Sequence, residues 1–243
     1  MPKSLENPFL PSHGAKPDLS ALAEQGFLSS DDVAKLRELE SQKNRSSEFG
    51  IRHSMSDVSL KEGMSAQERG SLKESQEASR KELIEWAAKW DLGDEDWVDE
   101  KFDFQPNGTA ICNGDLVLSK ITEPDFPKHI VEVKGDLNLF RLTSAEHLKL
   151  PTTIGGDLDL SSLTSAEHLK LPATIGGDLY LNNLTSAEHL TLPTTIGGSL
   201  YLNSLTSAEH LELTDIAGGV FLRRLSEEKK QQLREKYPHL SIK

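Results

Sequence analysis

The sequence predicts a repeat solenoid with short α-helical caps at both ends, and three observations carry that prediction. Gly114, Gly135, Gly156, Gly177, Gly198 and Gly219 recur at a fixed interval of 21 residues. Apolar residues keep step with them. Leu116, Leu137, Leu158, Leu179 and Leu200 follow each glycine by two positions, and Leu118, Leu139, Leu160, Leu181 and Leu202 by four. The middle copies are nearly identical and the end copies diverge. That is the pattern of a stacked array, because its end coils must face solvent or a cap.

The composition limits what such an array can do. Of 243 residues 36% are hydrophobic, and 39 acidic against 27 basic side chains leave a formal charge of −12. Mean hydropathy is −0.47. An acidic chain repels phosphate backbones and anionic bilayers, so neither nucleic acid nor a membrane is an expected partner. No apolar run reaches the ~18 residues of a spanning helix. The first residues, MPKSLENPFLPSHGAKPDL, contain no apolar signal core. A cytoplasmic location is therefore expected, with export by a non-Sec route as the alternative. The single cysteine, Cys112, excludes an intramolecular disulfide.

In chain order, residues 1–78 are expected to be largely disordered or loosely helical. Within them LSSDDVAKLRELE reads as a helix, with Ser29 as cap, Asp32 at the third position and Leu28 stapled to Val33. Ten serines over residues 41–79 read as a loose linker. Residues 79–106 form a helical cap. Ser79 and Glu82 have capping-box spacing, Leu83, Trp86 and Trp90 share a stripe, and Gly93 suits the C′ position. Trp97, Phe102 and Phe104 complete the cap. The segment FDFQPNGTAI reads as a hairpin that turns at Pro106-Asn107-Gly108 and enters the stack.

Residues 107–225 make about six coils. In GDLYL the alternation puts Leu179 and Leu181 inside and Asp178, Tyr180 and Asn182 outside. LTSAEHL offers Thr185 and Glu188 as a capping box for a short helical turn. HLTLP alternates again, a second strand with Leu190 and Leu192 inward and Pro193 ending it. TTIGG turns the corner with Ile196 buried and the glycines free to take positive φ. The last copy, AGGVFLRRL, fits with one residue deleted, which places Val220, Leu222 and Leu225 in the apolar columns. Residues 226–243 form a charged capping helix.

The unit LPxTIGGxLxLxxL resembles a bacterial leucine-rich repeat, whose period range includes 21, over roughly residues 107–225. The resemblance implies parallel strands stacked about 4.8 Å apart. It departs where that family carries asparagine, since Ile121, Leu142, Leu163, Leu184 and Leu205 stand there. The asparagine ladder is therefore missing, and a parallel β-helix is the alternative to a horseshoe.

Several columns invite a chemical reading. His147, His168, His189 and His210 stand beside Glu146, Glu167, Glu188 and Glu209, but a copied surface column outweighs a metal site. Asp115, Asp136, Asp157 and Asp178 follow the glycines on a period that differs from calcium-binding nonapeptides, so turn capping is the expected role. Cys112 shares a column with Val133, Ile154, Ile175 and Ile196 and reads as a small buried hydrophobe. The chain contains no P-loop, nucleophile elbow, zincin or dinucleotide fingerprint. No catalytic, metal or cofactor residue is assigned.

The expected function is a non-catalytic protein-interaction module. Copies differ most at outward strand positions, while TSAEH repeats unchanged. The candidate binding residues are Asp136, Asn138, Phe140, Asp157, Asp159, Asp178, Tyr180, Asn182, Tyr201 and Asn203, a set suited to a basic protein partner. The alternatives are a structural or self-associating array and an enzyme with its site in the N-terminal region.

Overall fold

A computed structural model describes residues 65–243. The helix expected near Ser29 lies outside the described residues. The first element among the described residues is a long helix, α1 (Ala66–Lys89). Its capping box is Ser65 with Glu68: the serine hydroxyl accepts from the Glu68 amide, and the Glu68 carboxylate accepts from the Ser65 amide at 2.7 Å. The helix therefore begins well before Ser79, the cap expected from the sequence. Ser79 lies inside it and donates its hydroxyl to the Gly108 carbonyl. One face, Gln76, Ser79, Leu83, Trp86 and Ala87, is buried at helical spacing.

Asp91, and not Gly93, takes the left-handed position after α1, with φ 49°. The amides of Asp91 and Leu92 reach back to the Ala88 and Ala87 carbonyls, which closes a Schellman motif. Gly93 is required for a different reason, because a Cβ there would overlap the Trp97 ring. A short helix, α2 (Glu95–Lys101), starts on Asp94. Arg80 ties it to α1 through two 2.7 Å contacts with Asp99 and one with Glu95. Strands β1 (Phe102–Phe104) and β2 (Ala110–Cys112) form the expected antiparallel hairpin, with Gly108 at φ 78° in its turn.

From β2 onward each coil contributes one strand to each of two parallel sheets. The first sheet contains β2, β4 (Ile130–Val133), β6 (Thr153–Ile154), β8 (Thr174–Ile175), β10 (Thr195–Ile196) and β12 (Asp215–Ile216). The second contains β3 (Leu116–Val117), β5 (Leu137–Asn138), β7 (Leu158–Asp159), β9 (Leu179–Tyr180), β11 (Leu200–Tyr201) and β13 (Gly219–Phe221). Register is constant: Leu137 pairs with Leu158, Leu158 with Leu179, and Leu179 with Leu200. The deletion in the last copy is taken up before β12, where Thr195 already pairs with Asp215, and β13 keeps the same offset, with Tyr201 paired to Phe221. The molecule is thus a β-solenoid of six coils, with α3 (Glu227–Lys236) and β14 (Ser241–Ile242) closing it.

Leu179, Leu181, Leu184 and Ile196 are fully buried, as are their equivalents in neighbouring coils. One apolar core runs from Leu83 and Trp86 of the cap to Leu233 and Ile242 at the far end.

Three local expectations are corrected. In the middle coils the other strand is Thr-Ile, after the proline, and Leu190–Pro193 is not a strand. A proline in every middle coil removes an amide there, and inter-coil bonding resumes only at the following threonine, with the Thr194 amide on the Ala173 carbonyl at 2.9 Å. TSAEH is not a capped helical turn. The Ser186 hydroxyl accepts from the Glu188 amide at 3.1 Å, and the Leu190 amide reaches the Ala187 carbonyl at 3.0 Å. His189, at φ 62°, occupies the third position of that β-turn.

The paired glycines do not take positive φ. Among the described glycines only Gly108 and Gly114 do so. A Cβ on Gly176 would overlap the Gly155 carbonyl oxygen, and one on Gly177 would overlap the Asp157 carboxylate. The corner is glycine because coils approach too closely there for any side chain.

Candidate functional site

The outward face of the second sheet collects the candidate residues. Strand alternation sends Leu179 and Leu200 into the core, so Tyr180 and Tyr201 must point away from it. Constant register then places each side chain over its neighbour. The rings of Tyr180 and Tyr201 lie 4.7 Å apart at 11°, and those of Tyr201 and Phe221 4.6 Å apart at 4°. Those separations equal the strand spacing, so the stack follows from the ladder itself. Lys243 ends it, with Nζ 4.8 Å from the Phe221 centroid.

The aspartates line the edge of this face. Asp115 Oδ1 accepts the Asp136 amide at 3.0 Å, Asp136 the Asp157 amide at 2.7 Å, and Asp157 the Asp178 amide at 2.7 Å. Asp178 accepts the Ser199 amide at 2.6 Å, and the Ser199 hydroxyl carries the series to the Gly219 amide. Turn capping by aspartate is therefore real, but each carboxylate caps the next coil and not its own. An aspartate ladder stands in for the missing asparagine ladder. Each residue uses Oδ1 in this way, and none pairs with a cation among the described residues.

Asn138 and Asp159 fold back over their own turns, accepting from the amides of Phe140 and Ser161. Asn203 Nδ2 donates to the Asn182 side-chain oxygen Oδ1 at 2.6 Å, and Asn182 Nδ2 to the Ser161 hydroxyl at 3.3 Å. Tyr180 donates its hydroxyl to Asp178 Oδ2 at 3.0 Å. Burial, that bond and the nearby Asp178 and Asp157 charges hold its phenol above the usual range. Phe140 is 40% exposed and Val117 60%, the two large hydrophobic residues most open to solvent among those described.

All ten candidate residues thus lie on or beside one sheet, bordered on one edge by the carboxylates. Sequence reasoning missed Phe221, Lys243 and Val117. Phe221 was legible, since it sits between Val220 and Leu222 in the shifted last copy. Lys243 was not, because β14 joins the sheet from beyond α3.

The remaining columns are arranged differently. The four histidines are exposed, each 3.5–3.6 Å from the glutamate that precedes it in the same turn. Among the described residues no three ligating side chains converge. Cys112 is fully buried, and burial pushes its thiol up to about 11. At the amino-terminal cap Asp125 gathers Lys89 at 2.6 Å, the Trp90 indole at 2.8 Å and, through its carbonyl, the Trp86 indole at 2.8 Å. Burial opposes its charge, but the hydrogen bonds from Lys89 and Trp90 outweigh this and lower its carboxyl. The open groove beside it is lined by charged and apolar groups, Glu82, Trp86, Phe126 and Lys149 among them.

The fold and this face define a β-solenoid repeat protein with one decorated sheet. Compared with protein families, with curated proteins and with solved structures, the chain matches none. Among the described residues no helix is long and apolar enough to cross a membrane.

Proposed function

We propose that the chain is a non-catalytic protein-interaction module, and that the outward face of the second sheet contacts a basic protein partner. The observation that supports this most is the three-ring stack standing beside a file of carboxylates that pair with no cation among the described residues. Rings already stacked lose little side-chain freedom on binding, and Tyr is favoured at interface centres. Unpaired carboxylates attract a cationic surface and speed its encounter. The resemblance of the repeat unit's sequence to bacterial leucine-rich repeats is our ground for proposing a bacterial origin and a binding role. We place the protein in the cytoplasm, with non-Sec export as the alternative.

The test is quantitative affinity capture with the full chain and with a Tyr201→Ser/Asp159→Asn variant, at low and high salt. A basic protein should be enriched by the wild type, weakened by salt and reduced at least tenfold by the variant. A partner retained by the variant, but lost when residues 18–90 are altered, would move the function away from this face. Molar mass by light scattering tests the self-associating reading.

A further inference from the structure

One column of the array changes sign along its length. Lys128, Lys149, Lys170, Thr191 and Glu212 recur at the 21-residue interval. Each of the three lysines stands four residues before a member of the first sheet's outward column, Glu132, Thr153 and Thr174, which pair in register. The lysines are therefore stacked one coil apart, about 4.8 Å. All three are exposed, and none has an ion pair or hydrogen bond among the described residues. At the far end Glu212 is neutralised by Lys236 at 3.0 Å. A column preserved only by copying would keep one residue type; this one gathers free cations on the amino-terminal coils of an acidic chain.

The file of lysines opens into the groove beside α1. Lys128 and Lys149 stand on the rim of that groove, which encloses about 450 Å³. Its floor is apolar. Trp86 and Phe126 are buried and meet edge to face, with centroids 6.1 Å apart at 70°. The Trp86 indole is pinned to the Asp125 carbonyl, so the floor is fixed before any ligand arrives. The acids of the same walls already stand beside cations: Asp125 lies 2.6 Å from Lys89, Glu82 2.7 Å from His129 Nε2, and Glu85 3.8 Å from Lys81. The charges left without a partner in the groove are the two lysines.

We propose that the groove and the lysine file form one docking surface for an extended acidic segment of a partner protein, with an apolar side chain in the groove and carboxylates over Lys149 and Lys170. The lysines select the sign of the partner, and the floor selects an apolar anchor. The file selects the length. Lys170 lies two coil steps from Lys128, roughly 9.6 Å, which an extended chain covers in about three residues. A small anion would reach only one end of it. This surface borders the amino-terminal cap and does not rest on the reading of the second sheet, whose partner is basic.

The experiment measures fluorescence anisotropy of a labelled peptide, one leucine followed by four aspartates, with the full chain at low salt. The peptide should bind, weaken as salt is added, and lose about tenfold in affinity to a Lys149→Glu/Lys170→Glu variant, since each reversal turns an exposed attraction into a repulsion. An Arg223→Glu/Arg224→Glu variant makes the same change in net charge at the other end of the array and should lose less than about threefold. Circular dichroism should show the wild-type β signal in both. The Tyr201→Ser/Asp159→Asn variant should bind the peptide as the wild type does, which keeps this test separate from that of the second sheet. No binding by the wild type at roughly millimolar protein overturns the proposal. Equal losses in the two charge-reversed variants overturn it as well, because overall charge then accounts for binding. A peptide with serine in place of leucine that binds equally well, or full displacement by inorganic phosphate at an ionic strength where chloride displaces nothing, reduces the surface to an anion site and overturns it. Self-association of the wild type in light scattering, abolished by Lys149→Glu/Lys170→Glu, would make a second copy the occupant and overturn it too.

Discussion

Replacing Asp157 separates the two things its carboxylate does. Oδ1 accepts the Asp178 amide at 2.7 Å, while the side chain's charge lies one strand spacing from Asp136 and Asp178. A charge-assisted hydrogen bond contributes about 1.5–3 kcal/mol net and a neutral one about 0.5–1.5. At about 4.8 Å in a water-like dielectric each neighbouring carboxylate repels by about 0.9 kcal/mol. Screening at ~0.15 M salt roughly halves the summed repulsion to about 1 kcal/mol, and at ~0.01 M most of it survives. Asp157→Asn keeps the acceptor, loses the charge assistance and removes the repulsion. It should fall within about 0.5 kcal/mol of wild type at ~0.15 M salt and gain a similar amount relative to wild type at low salt. Asp157→Ala removes the repulsion too, but orphans the Asp178 amide, for a net loss of about 0.5–2 kcal/mol.

Urea unfolding at two salt concentrations measures both variants without adding ions through the denaturant. Asn should lie close to wild type at the higher salt and at or above it at low salt, with Ala below Asn at both. Equal stability of Asn and Ala at either salt concentration would refute the ladder as a source of stability. An Asn variant that loses ground as salt is removed would refute the repulsion.

Leu181→Ala truncates a fully buried side chain in the middle of the stack and should cost ~2–5 kcal/mol in urea unfolding, with no loss of the remaining β signal at low denaturant. His189 holds φ 62°, which asparagine and glycine tolerate better, so His189→Asn should leave the melting temperature unchanged or raise it, whereas His189→Val should lower it clearly. Cys112, buried and with its thiol raised to about 11, should resist Ellman's reagent at pH 8 in the folded protein and react fully in urea. Tyr201→Ala removes the central ring of the stack, so it should weaken a partner by ~1–3 kcal/mol and also lower stability measurably; Tyr180→Phe, which loses only the bond to Asp178, should spare most of both.

The period alone made the solenoid, its core columns and its outward face legible, because in-register stacking turns a sequence interval into a spatial column. Leu179, Leu181 and Ile196 needed no further information. The roles of glycine and aspartate were hidden for the opposite reason. Gly177 has no local need for glycine; its constraint is the Asp157 carboxylate one coil earlier. Asp157 likewise serves the amide of Asp178, not its own turn. Contacts between residues one coil apart leave no mark on the dihedral preferences from which turns are read. The start of α1 was lost to a similar ambiguity, since Ser65-x-x-Glu68 and Ser79-x-x-Glu82 carry the same signal. Tertiary bonds from Gln76 and Ser79 to the hairpin, to Phe104 and Gly108, favour the longer helix.

The constancy of TSAEH can now be weighed against the variation beside it. Thr206 donates both its amide and its hydroxyl to the Thr185 carbonyl, Ser186 holds the turn, Ala187 is buried at 1% exposure, and His189 carries the positive φ. Four of the five positions therefore have a structural reason to stay fixed, and only the glutamate has none beyond its weak approach to the histidine. Val117, Asn138, Asp159, Tyr180, Tyr201 and Phe221 are under no comparable demand. Parallel pairing fixes their backbone and leaves the outward side chain open to choice. Drift at unconstrained sites would scatter residue types along such a column. Here the aromatic ones fall on three consecutive coils and stack, with a cation at the end, and the polar ones bond to their own turns on the coils before. Adjacent positions that complement one another in this way are arranged as one surface, which is why the second sheet, and not the uniform turn, is where a partner should be sought.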